Sequence, residues 1–376
     1  MPSTLLVTND FGPRAGGIET FIIGLLERAP RGEVVVYTSH QDNSADYDRE
    51  WLENYGVEVI RDKARILLPT PRVIRAIRSV IKSRGLHRVW FGAAAPLGFA
   101  ARFIRSAGVT HMVALTHGHE VWWAKVPPFS FAMREIGKNI DAFGYLGNYT
   151  RDEISRAIPE RKLTKVAPGI DTSHFRPSDS AALREKFGLG SRPTIVSVGR
   201  LVHRKGQDRL IDALPVIQKR FPDVALLFIG EGPHRKVLDA LVKKHSLHDD
   251  VFFIGRINYR DLPAFISMGD IFAMPSRNRL FGMEVEGLGI VYLEASACGL
   301  PVIAGNSGGA PDAVIEGETG FVVDGRDVDE IAEKAITLLS DAALRERMGV
   351  RGRSWVEAEW GWELWSARFN TLLEQR

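Results

Sequence analysis

The sequence predicts an α/β protein made of two doubly wound domains, each a parallel sheet with helices on both faces. Short apolar runs alternate with segments of helical periodicity along the chain. The runs are apolar at nearly every position, the pattern of strands buried on both faces. The chain has 376 residues, more than one ordinary core accommodates.

In order, the first half offers strands at Leu5–Thr8, Val34–Thr38, Val57–Ile60, Val89–Phe91, Met112–Leu115 and Ala142–Leu146. The second offers Thr194–Val198, Ala225–Ile229, Val251–Ile254, Ile271–Met274, Pro301–Ala304 and Phe321–Val323. Between the halves, Ala167–Pro177 breaks periodicity with Pro, Gly and Ser and reads as a linker. The expected domains are residues 1–168 and 169–359. The tail, Trp355–Leu373, carries Trp355, Trp360, Trp362 and Trp365 and reads as a terminal helix. It packs either back onto the first domain, from about residue 360 to 376, or on its own domain only.

Composition excludes several classes. Apolar residues make up 45% and charged residues 25%, which argues for a globular chain over a disordered one. Lys and Arg number 49 against 46 Asp and Glu, too balanced for a nucleic-acid partner. Cys298 is the single cysteine, so no intrachain disulfide forms, and a reducing compartment fits. Its small neighbours mark it as a packing residue. The start has no basic, apolar signal pattern, and the most apolar stretch, Phe91–Phe103, is too short to span a bilayer. The protein is expected to be soluble or peripheral.

The most informative motif is Glu286-Gly-Leu-Gly-Ile-Val-Tyr-Leu-Glu294. A glycine-rich turn opens a helix, with one carboxylate before the turn and one inside the helix. Glycines let backbone N–H groups approach an anion, and the helix start adds partial positive charge. The acids suit hydroxyls, because a carboxylate accepts two O–H bonds. Phosphate between hydroxyls describes a sugar nucleotide. A loop ending the first strand of the second half, Ser197–Asp208, supplies Arg200, Arg204 and Lys205, cations that suit a diphosphate leaving group.

Doubly wound sheets bind ligands beyond the carboxyl ends of their strands, so a cleft between two such domains is the expected site. Gly16 and Gly17 open the helix Ile18–Leu26. They place backbone N–H groups for a substrate, or form a turn needing positive φ. His117, in Thr116-His-Gly-His-Glu120, is placed for a sugar hydroxyl or a phosphate; its spacing from His119 does not fit a metal helix. Gly305–Pro311 suits a polar ligand or is a plain left-handed loop. Asp327-Val-Asp-Glu330 reads as a helix cap rather than a metal site.

Residues 61–88 hold nine Lys and Arg and one Asp. On a helical wheel Arg72, Arg75, Arg78 and Lys82 share one face and Val73, Ile74, Ile77, Val80 and Ile81 the other. The basic face suits an anionic membrane surface; the apolar face suits the domain core.

Taken in order, Val7-Thr-Asn-Asp-Phe11, Gly16-Gly-Ile18, Val89-Trp-Phe-Gly-Ala-Ala-Ala-Pro-Leu97, His117-Gly-His-Glu-Val121, Arg204-Lys-Gly-Gln-Asp208, Glu284–Glu294, Pro301–Pro311 and the Trp-rich tail carry a resemblance. The chain resembles the retaining GT-B glycosyltransferases of family four, and within them the actinobacterial phosphatidyl-myo-inositol monomannoside α-1,6-mannosyltransferases. The resemblance implies two Rossmann-like domains facing across a cleft, an acceptor-binding one and a nucleotide-sugar-binding one. It implies GDP-mannose as donor, metal-independent transfer with retention, and a phosphatidylinositol mannoside lipid as acceptor. By motif, Glu286 would hold mannose hydroxyls, Glu294 the ribose diol, and Arg200 and Lys205 the diphosphate. The amides of Gly287, Leu288, Gly289 and Ile290 would complete the phosphate cradle, with Gly16 and Gly17 opposite. His117 would contact the transferred sugar, and Arg256 and Ile257 would lie by the base. Asp10 and Glu19 would face the acceptor. The implied location is cytoplasmic, peripheral at the inner face of the plasma membrane. A hexosyltransferase with another nucleotide sugar or a soluble acceptor, and a sugar-nucleotide epimerase, remain alternatives. Two departures bear on the acceptor and donor. Glu19 stands where close relatives carry Gln, and Ser276–Glu284 replaces a glycine-rich run, adding the bulk of Phe281 and Met283 near the donor sugar.

Overall fold

Seven parallel strands build the first sheet: β1 (Thr4–Thr8), β2 (Val34–Thr38), β3 (Glu58–Arg61), β4 (Arg88–Phe91), β5 (His111–Leu115), β6 (Ala142–Tyr145) and β7 (Leu163–Lys165). Their order is β3-β2-β1-β4-β5-β6-β7. The second sheet holds β8 (Thr194–Val198), β9 (Ala225–Ile229), β10 (Val251–Gly255), β11 (Ile271–Met274), β12 (Val302–Gly305) and β13 (Gly320–Val323), in the order β10-β9-β8-β11-β12-β13. The computed structural model describes residues 3–14 and 16–375. Both sheets are parallel throughout, with Thr4 registered on Val34 and on Arg88, and Ile195 on Leu226 and Ile271.

Every residue of β1, β2, β8, β9, β11 and β12 is buried, which accounts for their unbroken apolar runs. The edge strand β7 escapes that pattern: its three residues are only half-buried. β12 begins at Val302 rather than Pro301, because a proline has no N–H to give the ladder.

The chain divides into two compact units. One runs to Gly169 and takes back the chain from Trp362; the other is Ile170–Gly361. The single terminal helix expected over Trp355–Leu373 is two helices, Ala342–Glu359 and Trp362–Glu374. The break has a cause. The carbonyl of Trp360 accepts the Ile170 N–H at 2.7 Å, and Gly361 bridges to Ile170, so helical bonding stops there. Trp355 and Trp360 stack edge to face within the second unit. The last helix belongs to the first unit, where Trp362 packs on Phe21 and under Arg28, and Phe369 on Trp90. His111 Nε2 binds the Leu372 carbonyl at 2.9 Å.

The helix Pro71–Arg84 is capped by Thr70, whose hydroxyl accepts the Val73 N–H, and ends at a left-handed Gly85. Val73, Ile77 and Ile81 are buried in the first core, with Ile74 and Val80 against it. One member of the basic face is committed elsewhere. Arg72 forks onto Asp62 at 2.7 and 2.9 Å, and Asp62 also accepts the Tyr37 hydroxyl. The Arg72 bond, outweighing burial, holds Asp62 down at about 2. Arg72 is therefore paired within the first unit, with its side chain still half-exposed. Arg75, Arg78 and Lys82 have no carboxylate partner among the described residues.

Candidate active site

In each sheet the strand order reverses between two neighbours, β1 with β4 and β8 with β11, and ligands of such sheets bind beyond the strand ends at that point. The sequence motifs fall on those loops.

In the second unit, β8 runs into the cationic loop, which turns at Gly206 (φ +79). A Cβ there would collide with the Pro275 carbonyl beyond β11, so glycine lets the two loops meet. Arg277 fixes them together. Its N–H donates to the Arg204 carbonyl at 2.8 Å, and its buried guanidinium forks onto Asp208 at 2.7 and 3.0 Å. Lys205 is thereby held, buried, with Nζ 2.8 Å from Glu286 Oε2, and Arg204 Nη1 reaches the same oxygen at 2.6 Å. Burial raises the Glu286 carboxyl, but Lys205 and Arg204 outweigh it and hold it below the ordinary range. Glu286 is an anion between two cations.

The backbone of Glu286 is pinned from behind. Its N–H donates to Ser307 Oγ at 3.1 Å, and its carbonyl accepts the Gly309 N–H at 2.8 Å. The run Gly305–Pro311 thus supports Glu286. Side chains on Gly308 or Gly309 would strike the carbonyls of Glu286 or Gly287. Gly289 (φ +78) then caps the helix Ile290–Ala297, and Tyr292 anchors its first turn by donating to the Met274 carbonyl at 2.7 Å. Glu294 lies inside that helix, buried. Burial pushes its carboxyl up to about 7, with Lys205 as the opposing charge.

Arg200, just past β8, is exposed; the second cation on Glu286 is Arg204, one of the loop's three cations but not one of the two that the family motif assigns to the diphosphate. Arg256 is exposed and Ile257 half-buried just past β10, where the Gly230 N–H and Gly255 carbonyl join the loops of β9 and β10 at 2.8 Å. Phe281 and Met283 stand exposed on a loop closed by Arg279 and Glu284. Asp327 caps the helix Val328–Ser340 through the N–H groups of Asp329 and Glu330; Glu330 instead accepts the Asp324 N–H at 2.7 Å.

In the first unit, His117 follows β5. Its Nε2 lies 2.6 Å from the Gly92 carbonyl beyond β4, and its N–H donates to Glu120 at 2.8 Å. A carbonyl only accepts, so Nε2 carries the proton. Burial lowers the imidazole's pKa, keeping the ring neutral with Nδ1 as an acceptor. That suits a sugar hydroxyl, which can donate, and not an unprotonated phosphate oxygen. Past β1, Asp10 is raised to about 6, first by burial and then by Glu19. Glu19 is no lone charge at the helix start, since Arg14 Nε binds it at 2.8 Å. Gly16 is extended (φ −167), so it needs no positive φ, and the Glu19 carboxylate lies over its Cα. Over Gly17 there is open space.

The two parallel sheets and a cation-held carboxylate before a helix opening define a class, the GT-B glycosyltransferases. The family described as "Glycosyl transferases group 1" matches residues 179–355, and "Glycosyltransferase Family 4" matches residues 15–174. A protein of Mycolicibacterium smegmatis named GDP-mannose-dependent alpha-(1-6)-phosphatidylinositol monomannoside mannosyltransferase is 44% identical, covering 99% of this chain and 98% of that protein. The Mycobacterium tuberculosis protein of that name is 43% identical over 99% and 98%. A Corynebacterium glutamicum protein, named for the monoacylated acceptor, is 42% identical over 99% and 97%. The chain belongs to this glycosyltransferase family. Among solved structures, Anabaena Alr3699/HepE with UDP and glucose superimposes with a TM-score of 0.82 at 18% identity, covering 99% of both chains. Sucrose-phosphate synthase from Thermosynechococcus elongatus gives 0.80 at 23%, covering 98% of both, and these two likenesses show the shared fold.

Proposed function

We propose that this enzyme moves mannose from GDP-mannose to phosphatidylinositol monomannoside, forming an α-(1-6) link with retention at the anomeric carbon. The observation that carries it is identity of 42–44% over nearly the whole chain to relatives named for that reaction. The site chemistry supports it. An incoming diphosphate competes with Glu286 for Lys205 and Arg204, and the freed carboxylate oxygens can accept mannose hydroxyls. The amides from Gly287 to Ile290 lie at a helix start, where they complete a phosphate cradle. Glu294 takes the ribose diol, Arg200 a second diphosphate oxygen, and Arg256 and Ile257 border the base. His117 accepts one mannose hydroxyl at Nδ1, and Gly17 offers open backbone to the donor. Asp10 and Glu19 face the acceptor's inositol. As the glycosidic bond breaks, negative charge grows on the departing phosphate. Fixed cations stabilise that charge, and the same phosphate oxygen takes the acceptor's proton.

A lipid acceptor supports a peripheral position at the cytoplasmic face of the plasma membrane. No helix among the described residues is long and apolar enough to cross a membrane. Arg75, Arg78 and Lys82 supply the contact, at about 1 kcal/mol per cation near an anionic surface. Changing all three to Ser should weaken sedimentation with phosphatidylinositol vesicles; unaltered sedimentation would assign docking to another surface. The activity is tested by mass spectrometry of phosphatidylinositol monomannoside incubated with GDP-mannose, beside UDP-sugars. A second hexose arising only with GDP-mannose is expected, and its absence overturns the reading.

A further inference from the structure

Leu280, Phe281 and Met283 form an exposed apolar tip. Leu280 is 58% exposed, Phe281 fully exposed and Met283 46% exposed. The tip is held rather than loose. Arg279 and Glu284 exchange backbone hydrogen bonds at 2.9 and 3.2 Å and pair through their side chains at 3.0 Å. Arg326 Nη2 donates to the Asn278 carbonyl at 2.6 Å, and Asn278 Oδ1 accepts the Ser307 hydroxyl that also receives the Glu286 N–H. The base of the loop is therefore wired to the residue that grips Lys205.

Leu280 (φ +49), Phe281 (φ +55) and Gly282 (φ +83) are all left-handed, a conformation that bulky side chains rarely adopt. Packing of the Phe281 ring does not compensate for it, because that ring is fully exposed. A rigid, strained turn that aims three apolar groups outward suits an external apolar phase. The exposed Arg326 at its base adds a cation for an anionic headgroup.

Resting on the proposed lipid acceptor, we infer that this tip inserts into the interfacial region of the acceptor's bilayer, as a lipid contact on the nucleotide-sugar unit itself. It would bring the Glu286 site to the headgroup, separately from the Arg75–Lys82 stripe of the other unit.

Leu280, Phe281 and Met283 are changed together to Ser and assayed with phosphatidylinositol monomannoside in vesicles and with its deacylated, water-soluble counterpart. KM for the vesicle acceptor should rise roughly tenfold, since removing apolar anchors weakens interfacial binding. KM for the soluble acceptor, GDP affinity and melting temperature should not move. An unchanged vesicle KM overturns the inference. So does an equal loss on both acceptors, which would make the tip part of the donor pocket, or a dimer abolished by the changes, which would assign it to a second copy. A second measurement needs no turnover. Cys298 is the only cysteine and is buried, so Phe281→Cys can be labelled selectively with an environment-sensitive dye. A blue shift on adding phosphatidylinositol vesicles is expected; no shift overturns the insertion. If wild type glycosylates neither acceptor, the activity falls, and the dye alone decides the tip.

Discussion

Lys205 and Glu286 hold each other in a buried pair, and Arg204 leans on the same oxygen. Truncating a buried charged partner of this kind costs about 2–5 kcal/mol. Lys205→Ala should therefore lower kcat/KM on the order of 30- to 4,000-fold. A decrease under threefold would remove Lys205 from diphosphate binding. Glu294 gives a pH signature. Its folded pKa, about 7, lies above the ordinary 4.5, so the folded state favours the protonated acid. That contribution to stability is complete below pH 4.5 and disappears as pH rises through about 7. Melting temperature without nucleotide should lose this contribution over that window, and Glu294→Gln should abolish it; a wild-type and variant difference flat in pH would contradict the assignment. The residue scale is also where the sequence was least legible. Arg200, Arg204 and Lys205 look alike in a loop, and only the Gly206 turn and the Arg277–Asp208 fork decide which of them reach Glu286. Arg72 likewise finds Asp62 across a loop that no periodicity describes.

At the scale of elements, the strands were readable because a strand covered on both faces is apolar at every position. β7 was not, being short, half-exposed and at an edge. The helix Ile290–Ala297 was readable from its glycines, and the structure gives Gly289 its reason. A side chain there would meet both a left-handed backbone and the Tyr292 ring. Gly289→Ala should destabilise the second unit by about 1–2 kcal/mol or more from backbone conformation alone. It should also weaken GDP binding, measured by calorimetry, because the amides at the helix start shift. Unchanged melting and affinity would show that the turn relaxes freely.

At the scale of the molecule, the tail could not be assigned from its tryptophans. The break at Trp360 and Gly361 depends on Ile170, far away in sequence. Trp362, Trp365, Phe369, Leu372 and Leu373 are buried with the first unit. Ending the chain at Gly361 should expose Phe21, Leu25 and Trp90. Calorimetry should then show the first unit's transition lost or lowered while the second unit's survives; an unaltered thermogram would make the last helix dispensable. The layout also dictates an order of birth. A ribosome releases the whole second unit before it makes the helix that seals the first, although domains made earlier usually fold earlier. The amino-terminal half must wait, unsealed, through nearly two hundred further residues before the helix that completes it is made.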